Sequence, residues 1–151
     1  MDPSQPTHQE LLQDTIDKFW RVIPPIWRHT RSRVHQIASD KYEITGAQFN
    51  ILRAIHHGKQ SVSDLARFGH ISRPAISRTV DSLTSSGLVS RQQDSEDRRH
   101  VRLSLTEAGR DLLHGLHGDT HAWMADRLRK LSKDELEIVA RALDLIDNTL
   151  Q

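Results

Sequence analysis

The chain has 151 residues, a formal net charge of +1 and no cysteine. Its length fits one domain, or one domain with extensions, and a hydrophobic fraction of 36% argues against disorder. The lack of cysteine excludes disulfides and thiolate metal sites, and no run approaches the roughly 18 apolar residues of a membrane span. Because the first residues also lack the order of a signal peptide, we expect a cytoplasmic protein that does not contact a membrane.

The first helix is predicted from about Glu10 to Ser39, where apolar residues recur mostly at three- and four-residue steps. Pro24 and Pro25 interrupt this pattern. Each proline removes one backbone hydrogen bond and crowds the preceding turn. The sequence therefore predicts a pronounced kink or a break at the pair.

A second helix is predicted to begin at Thr45, since Gln48 stands at the capping-box position, and to end at His56-His57-Gly58. Its buried side is predicted to be Phe49, Leu52, Ala54 and Ile55. A third, shorter helix is predicted to begin at Ser61, with Asp64 as its capping partner. Its buried side is predicted to be Leu65, Ala66 and Phe68.

Only Gly69 and His70 separate this helix from the next, which indicates a helix-turn-helix. Ser72 is predicted to cap the new helix through its hydroxyl, and Pro74 suits its first turn. The apolar face is predicted to be Ile76, Val80 and Leu83, and the face pointing away to be Arg73, Ser77, Thr79 and part of Arg78. Gly87 is predicted to end the helix.

After Gly87 the apolar period changes from 3.6 to 2, because Val101, Leu103 and Leu105 alternate with polar residues. They are predicted to face an earlier strand across Leu88 to Gln93. The tip between the strands, Asp94 to Arg99, is too polar to pack. This hairpin predicts a winged helix-turn-helix, which places one helix in a major groove and a basic tip near a minor groove.

Two more helices are predicted, one capped by Thr106 and running to about Leu131, the other capped by Ser132 with Glu135. Apolar residues of the last helix repeat at intervals of seven, namely Leu136, Leu143 and Leu150, and Val139 and Ile146. Such a short seam does not form an autonomous coiled coil. It is either core within its own chain or an interface with a second subunit.

Several short pieces between Thr45 and Leu113 together form a known pattern. They are Leu65-Ala66, Ile71-Ser72, Val80-Asp81-Ser82-Leu83, Gly87-Leu88-Val89, Asp94-Ser95-Glu96-Asp97-Arg98-Arg99 and Leu105-Thr106-Glu107-Ala108-Gly109. In this combination the chain resembles the MarR family of dimeric transcriptional regulators.

The resemblance implies a mostly helical α+β fold with three parts. Residues 1–44 would be an N-terminal dimerisation helix, residues 45–113 the winged helix-turn-helix, and residues 106–151 a linking helix and a C-terminal dimerisation helix. It implies a homodimeric repressor that binds a pseudopalindromic site on double-stranded DNA and is released by a small molecule. No enzyme is expected, because nucleophile-elbow, phosphate-loop and zinc-protease motifs are absent from the sequence.

Base contacts are expected from the first half of the Ser72 to Ser86 helix. The candidates are Arg73, Ser77 and Arg78, and Ser72 and Pro74 are expected nearby in the DNA-binding surface. All basic residues from 61 to 105 are arginine, which suits recognition of guanine and of narrow minor grooves. An ion pair of Arg78 with Asp81 or Asp97 is the alternative. In the wing, the resemblance assigns Arg99 to the minor groove and Asp97 to holding it, and Arg98 is a further candidate.

In relatives the effector pocket lies between the dimer helices and the winged helix. The candidates here are Trp20, Trp27, Arg31, His35, His56 and His57. Aromatic rings would supply an apolar wall, and Arg or His would meet the phenolate or carboxylate of a small aromatic ligand. For Trp20 and Trp27 the alternative is ordinary core.

His114, His117 and His121 fall on one predicted helix and could offer two or three ligands to zinc. A complete site would need a further partner such as His35 or Glu10, and solvated histidines are the alternative. We therefore expect no metal or other cofactor. A metal-responsive regulator, or a winged helix that binds only proteins, remains an alternative, although Arg73, Arg78 and Arg99 together favour DNA.

Overall fold

The computed structural model describes residues 6–93 and 101–150. In chain order these ranges contain α1 (His8–Tyr42), α2 (Gly46–His56), α3 (Val62–Gly69), α4 (Arg73–Ser85), β1 (Val89–Gln93), β2 (Val101–Leu105), α5 (Glu107–Leu128) and α6 (Lys133–Leu150). The two strands pair antiparallel. This order confirms the predicted mostly helical α+β class. Among the described residues, no helix combines the length and the apolar character needed to cross a membrane.

The chain divides into two compact units, residues 1–49 and residues 50–151. In the first unit, α1 runs without interruption through Pro24 and Pro25. Of the predicted kink or break, the break is therefore wrong, and the kink stays a prediction. Proline fixes a φ near the helical value, so the pair removes two N–H groups without requiring a non-helical backbone. A capping box also starts the helix, because the Glu10 amide donates to Thr7 Oγ1 over 3.3 Å and the Thr7 amide donates to Glu10 Oε2 over 2.8 Å.

Most apolar side chains of α1 are exposed. Ala38 is its buried residue, whereas Leu11, Leu12, Ile16, Val22 and Ile26 are exposed. Trp20 is 67% exposed and Trp27 is 60% exposed. The alternative that these two indoles belong to the core is therefore wrong for the single chain.

The second unit contains a core to which four helices and both strands contribute. Its buried apolar residues are Ile51, Leu52, Ala54 and Ile55 of α2, Leu65 and Ala66 of α3, Ile76, Val80 and Leu83 of α4, Val89, Leu103 and Leu105 of the sheet, and Leu116 of α5. Most of these were predicted from periodicity. Phe68 was wrongly placed among them, since it is 60% exposed and has the Lys59 ammonium 5.6 Å from its ring centroid. At 100° per residue, Phe68 lies on the other side of Leu65 from Ala66, away from the centre of the buried face.

The last helix, α6, contributes no buried residue. Its predicted cap forms, because the Ser132 amide donates to Glu135 Oε2 over 2.8 Å and the Glu135 amide donates to Ser132 Oγ over 3.3 Å. Of the residues in its seam, Leu136, Leu143 and Leu150 are exposed and Val139 and Ile146 are half-buried. The single chain therefore does not use this seam as its core.

Candidate nucleic-acid interface

The turn between α3 and α4 is tight because His70 adopts a left-handed conformation with φ 51°. The Ile71 amide then donates to the Ala66 carbonyl over 3.1 Å, which satisfies the end of α3. At the start of α3, Ser61 Oγ accepts from the Asp64 amide over 3.0 Å, as predicted. The two helices contact each other directly. The predicted helix-turn-helix is therefore present.

Ser72 occupies the N-cap position of α4, but its hydroxyl makes no capping hydrogen bond, so that part of the prediction is wrong. The Ala75 and Ile76 amides donate instead to the Ser72 backbone carbonyl, each over 3.1 Å. Pro74 has no N–H to offer. The Ser72 side chain is consequently exposed at the helix N-terminus, where backbone N–H groups favour an anion.

One face of α4 is completely covered by its own chain. Val80 and Leu83 are 0% exposed, and β1 and α3 pack against this helix. Arg73, Pro74 and Arg78 are exposed, and Ser77 is half-buried. Thr79 does not join the exposed face as predicted, since it is half-buried and its hydroxyl donates to the Ala75 carbonyl over 3.1 Å.

Neither Arg73 nor Arg78 forms an ion pair or a side-chain hydrogen bond within residues 6–93 and 101–150. The alternative that Arg78 pairs with Asp81 is wrong, because Asp81 pairs with Arg91 of β1 at 2.5 Å. The other suggested partner, Asp97, lies outside the described residues. The exposed face of α4 thus presents the guanidinium groups of Arg73 and Arg78. The nearby Asp81 carboxylate is already paired with Arg91.

A second set of predicted DNA contacts falls in the wing, of which the two strands are described. Val89 pairs with Leu105 and Arg91 with Leu103, which confirms the predicted hairpin. Before it, Gly87 has φ 72°, and the Leu88 amide donates to the Leu83 carbonyl over 2.9 Å, closing the end of α4. Asp97, Arg98 and Arg99 lie outside the described residues, so their proposed contacts stay predictions.

Thr106 connects the end of α4 to the start of α5. Its hydroxyl donates to the Gly87 carbonyl over 2.6 Å and accepts from the Gly109 amide over 3.0 Å. The Thr106 amide donates to the Leu88 carbonyl over 3.2 Å. A Cβ on Gly109 would lie 2.1 Å from the same carbonyl oxygen. The Thr-x-x-Gly spacing is therefore a packing requirement, which sequence reasoning identified only as a resemblance.

Three of the predicted effector residues come together on α1. Trp27, Arg31 and His35, with Arg28 and Ser32, line a groove of about 370 Å³. Trp20 lies outside this lining and packs edge-on against Phe19, with ring centroids 5.6 Å apart. His56 and His57 belong to the second unit, where their rings are 5.4 Å apart. The groove joins an indole to cationic and imidazole side chains.

The histidines of α5 include one close pair. The ring centroids of His117 and His121 are 4.1 Å apart, and both residues are exposed, as is His114. In the part of the chain that the structure describes, no group of three or more His, Asp or Glu side chains is arranged to hold a metal ion. The described residues therefore do not bring the candidate histidines His114, His117 and His121 together as a set of zinc ligands.

Comparison with known proteins also points to the region that contains the helix-turn-helix. The model of the MarR family matches residues 42–100. The uncharacterized HTH-type transcriptional regulator YfiV of Bacillus subtilis is 30% identical over 112 residues, which are 74% of this chain and 70% of that protein.

Solved structures have a similar fold. The transcriptional regulator Tm0710 from Thermotoga maritima aligns with a TM-score of 0.79 at 20% identity, over 89% of this chain and 94% of that one. A mutant of S. aureus MepR bound to an oligodeoxyribonucleotide aligns with a TM-score of 0.67 at 20% identity, over 88% and 98%. At these identities the structures show a common fold.

Proposed function

Since the chain belongs to the MarR family of transcriptional regulators, we propose that it is a homodimeric repressor that binds a pseudopalindromic operator and is released by a small aromatic effector. It has a DNA-binding fold and is a transcriptional regulator rather than an enzyme. The DNA contact surface, the dimer and the effector are the parts that we propose.

The observation that carries the proposal is the exposed face of α4. Arg73 and Arg78 are exposed, without an ion pair in the described chain, on a helix whose other face is fixed by Val80 and Leu83. A helix held this way presents its side chains in a fixed arrangement, which base readout in the major groove requires. The MepR mutant bound to an oligodeoxyribonucleotide supports the assignment, because it has a similar fold.

We assign base contacts to Arg73, Ser77 and Arg78. Ser72 and Pro74 would lie against the phosphates at the helix N-terminus. The wing residues Asp97, Arg98 and Arg99 complete the proposal, with Arg99 in the minor groove.

The test is fluorescence anisotropy on a duplex from the protein's own promoter, at several salt concentrations. Arg78→Ala is expected to weaken binding to the specific site by about 1 to 3 kcal/mol, because a bidentate contact to a base would be lost. The control is Arg129→Ala, which removes an exposed arginine paired with Asp126 on α5 and is expected to leave affinity unchanged. Equal losses in both variants, or none in either, would contradict the assignment of Arg78.

A homodimer is supported by the uncovered apolar faces of α1 and α6. No residue of α6 is buried, yet its seam repeats over two heptads. Seams of this kind bury against a partner helix. Two recognition helices related by a two-fold axis, with a separation of roughly 34 Å, would meet successive major grooves on one face of the duplex. The target would then be a pseudopalindrome.

An effector site is supported by the groove on α1. Trp27 offers an aromatic wall, and Arg31 and His35 offer donors for a carboxylate or a phenolate. A ligand there would release DNA only if it binds more tightly to a second arrangement of the dimer. Benzoate is a suitable first probe. We expect it to quench Trp27 fluorescence and to lower operator affinity, with both effects absent in Arg31→Ala.

A further inference from the structure

Arg91 lies on the side of the hairpin that faces the core. In an antiparallel pair, residues directly opposite each other point to the same face, and so do residues two apart in one strand. Arg91 is opposite Leu103 and two residues after Val89, and both of these are buried. Arg91 is itself exposed.

The guanidinium of Arg91 ends on α4. Its Nη2 donates to Asp81 Oδ1 over 2.5 Å, and this contact joins the first strand of the wing to the recognition helix. Asp81 follows Arg78 by three residues, a spacing at which helical side chains of opposite charge pair. Asp81 therefore has two arginines within reach, and it is bonded to the one that does not belong to its own helix.

From this geometry we infer that Arg91 is a positioning residue for DNA recognition, acting through Asp81. It neutralises the only carboxylate of the α4 helix, keeps that carboxylate from pairing with Arg78, and holds β1 against α4. This inference rests on the proposed function, since it concerns the same DNA-binding surface.

The charge balance explains why this contact matters. Among the residues of α4, Arg73 and Arg78 carry positive charge and Asp81 carries negative charge. Without Arg91, the Asp81 carboxylate on the exposed face of α4 would repel DNA phosphates at short range. It would also draw Arg78 along the helix, away from a base edge. The ion pair itself is partly exposed, with side-chain exposures of 37% and 55%, so it contributes little to folding stability. Its removal should therefore change DNA binding far more than stability.

A direct contact between Arg91 and a phosphate makes a different prediction, which allows a test. If Arg91 acts through Asp81, its loss is harmful only while the Asp81 carboxylate is present. If Arg91 touches DNA, its loss is harmful whatever occupies position 81. The double variant Arg91→Ala, Asp81→Asn separates the two cases.

The experiment measures operator affinity of the full chain by anisotropy for wild type, Arg91→Ala, Asp81→Asn and the double variant, with thermal midpoints for each. We expect Arg91→Ala to weaken binding about tenfold to a hundredfold at a nearly unchanged midpoint. The double variant is expected to bind within about threefold of wild type. A matched control combines Arg91→Ala with Asp111→Asn, which restores the same net charge at an exposed position on α5, and should not recover affinity.

The outcomes separate this inference from the proposed function. If wild type does not prefer its operator to random duplex, the proposed function fails. If wild type does prefer it, two results would overturn the inference: Arg91→Ala binds as wild type, or the double variant is as weak as Arg91→Ala. Equal recovery by Asp111→Asn would also overturn it, because net charge alone would then account for the loss.

Discussion

The α4 and α6 helices are both amphipathic, but they differ in what covers their apolar faces. Ile76, Val80 and Leu83 of α4 are buried by the chain itself, whereas Leu143 of α6 remains 59% exposed. On α4 the chain leaves the polar side free, and we propose that side as the DNA-binding surface. On α6 it leaves the apolar side free, and we propose that side as the dimer interface. The same periodic pattern thus predicts two functions, and only the packing of the folded chain shows which one applies.

The largest effect on stability should come from a leucine-to-alanine substitution, made separately in α4 and in α6. Leu83→Ala removes a fully buried side chain and is expected to lower the free energy of unfolding by about 2 to 5 kcal/mol. The loss should be the same at every protein concentration. Chemical denaturation at two concentrations measures it.

Leu143→Ala is the matched substitution on α6. The side chain lies in the exposed seam, so its loss should act through dimer association, and the apparent stability should fall most at low concentration. Sedimentation equilibrium would show a weaker dimer. A concentration-independent loss as large as that of Leu83→Ala would mean that the seam supports its own chain.

The next effect concerns the connection between the end of α4 and α5. Gly109→Ala would bring a methyl group to 2.1 Å from the Leu88 carbonyl oxygen, so the backbone would have to shift. We expect a loss of about 3 kcal/mol in unfolding free energy, measured by thermal denaturation. Gly118→Ala in the same helix is the control. A Cβ at position 118 would meet no atom within 4 Å. Because alanine has a higher helix propensity than glycine, this substitution should stabilise the protein by up to about 1 kcal/mol. Equal behaviour of the two variants would contradict the close approach at Gly109.

The smallest effect concerns the cap of α6. Hydrogen bonds from the Ser132 backbone and hydroxyl lower the pKa of Glu135 below its ordinary value of 4.5. Because the folded chain favours the charged form, this stabilisation is fully present above pH 4.5 and is lost as the pH falls through the lowered pKa. Glu135→Gln should remove this part of the acid dependence. Unfolding of wild type and Glu135→Gln, measured between about pH 3 and 6, would show this difference in pH dependence. Plots of stability against pH that run parallel for the two proteins would contradict the prediction.

The features predicted correctly depend on residues close in sequence. The Thr45-Gln48, Ser61-Asp64 and Ser132-Glu135 caps each span three residues, and all form. The buried face of α4 repeats within three turns of one helix, so periodicity alone is enough to find it. The Gly87 turn follows from the same local rule, since its φ of 72° suits glycine.

The predictions that were wrong depend on competition that the sequence does not reveal. Ser72 could cap with its hydroxyl or its carbonyl, and the carbonyl accepts both amides. Pro24 and Pro25 favour a break by local rules, yet α1 continues through them. Arg91 and Asp81 are ten residues apart, and they meet only because the chain reverses at Gly87 and brings β1 against α4. No periodicity indicates such a contact.

The Thr106 hydroxyl bonds to Gly87 and Gly109 at the same time, so the end of the recognition helix and the beginning of α5 share one oxygen atom. We expect this pair of hydrogen bonds to act as a rigid joint, so that a rotation of α5 also moves the C-terminal end of α4. A change in the separation of two recognition helices would then require bending somewhere other than this joint. Thr106→Val, which keeps the shape of the side chain but loses both hydrogen bonds, would turn the joint into a hinge.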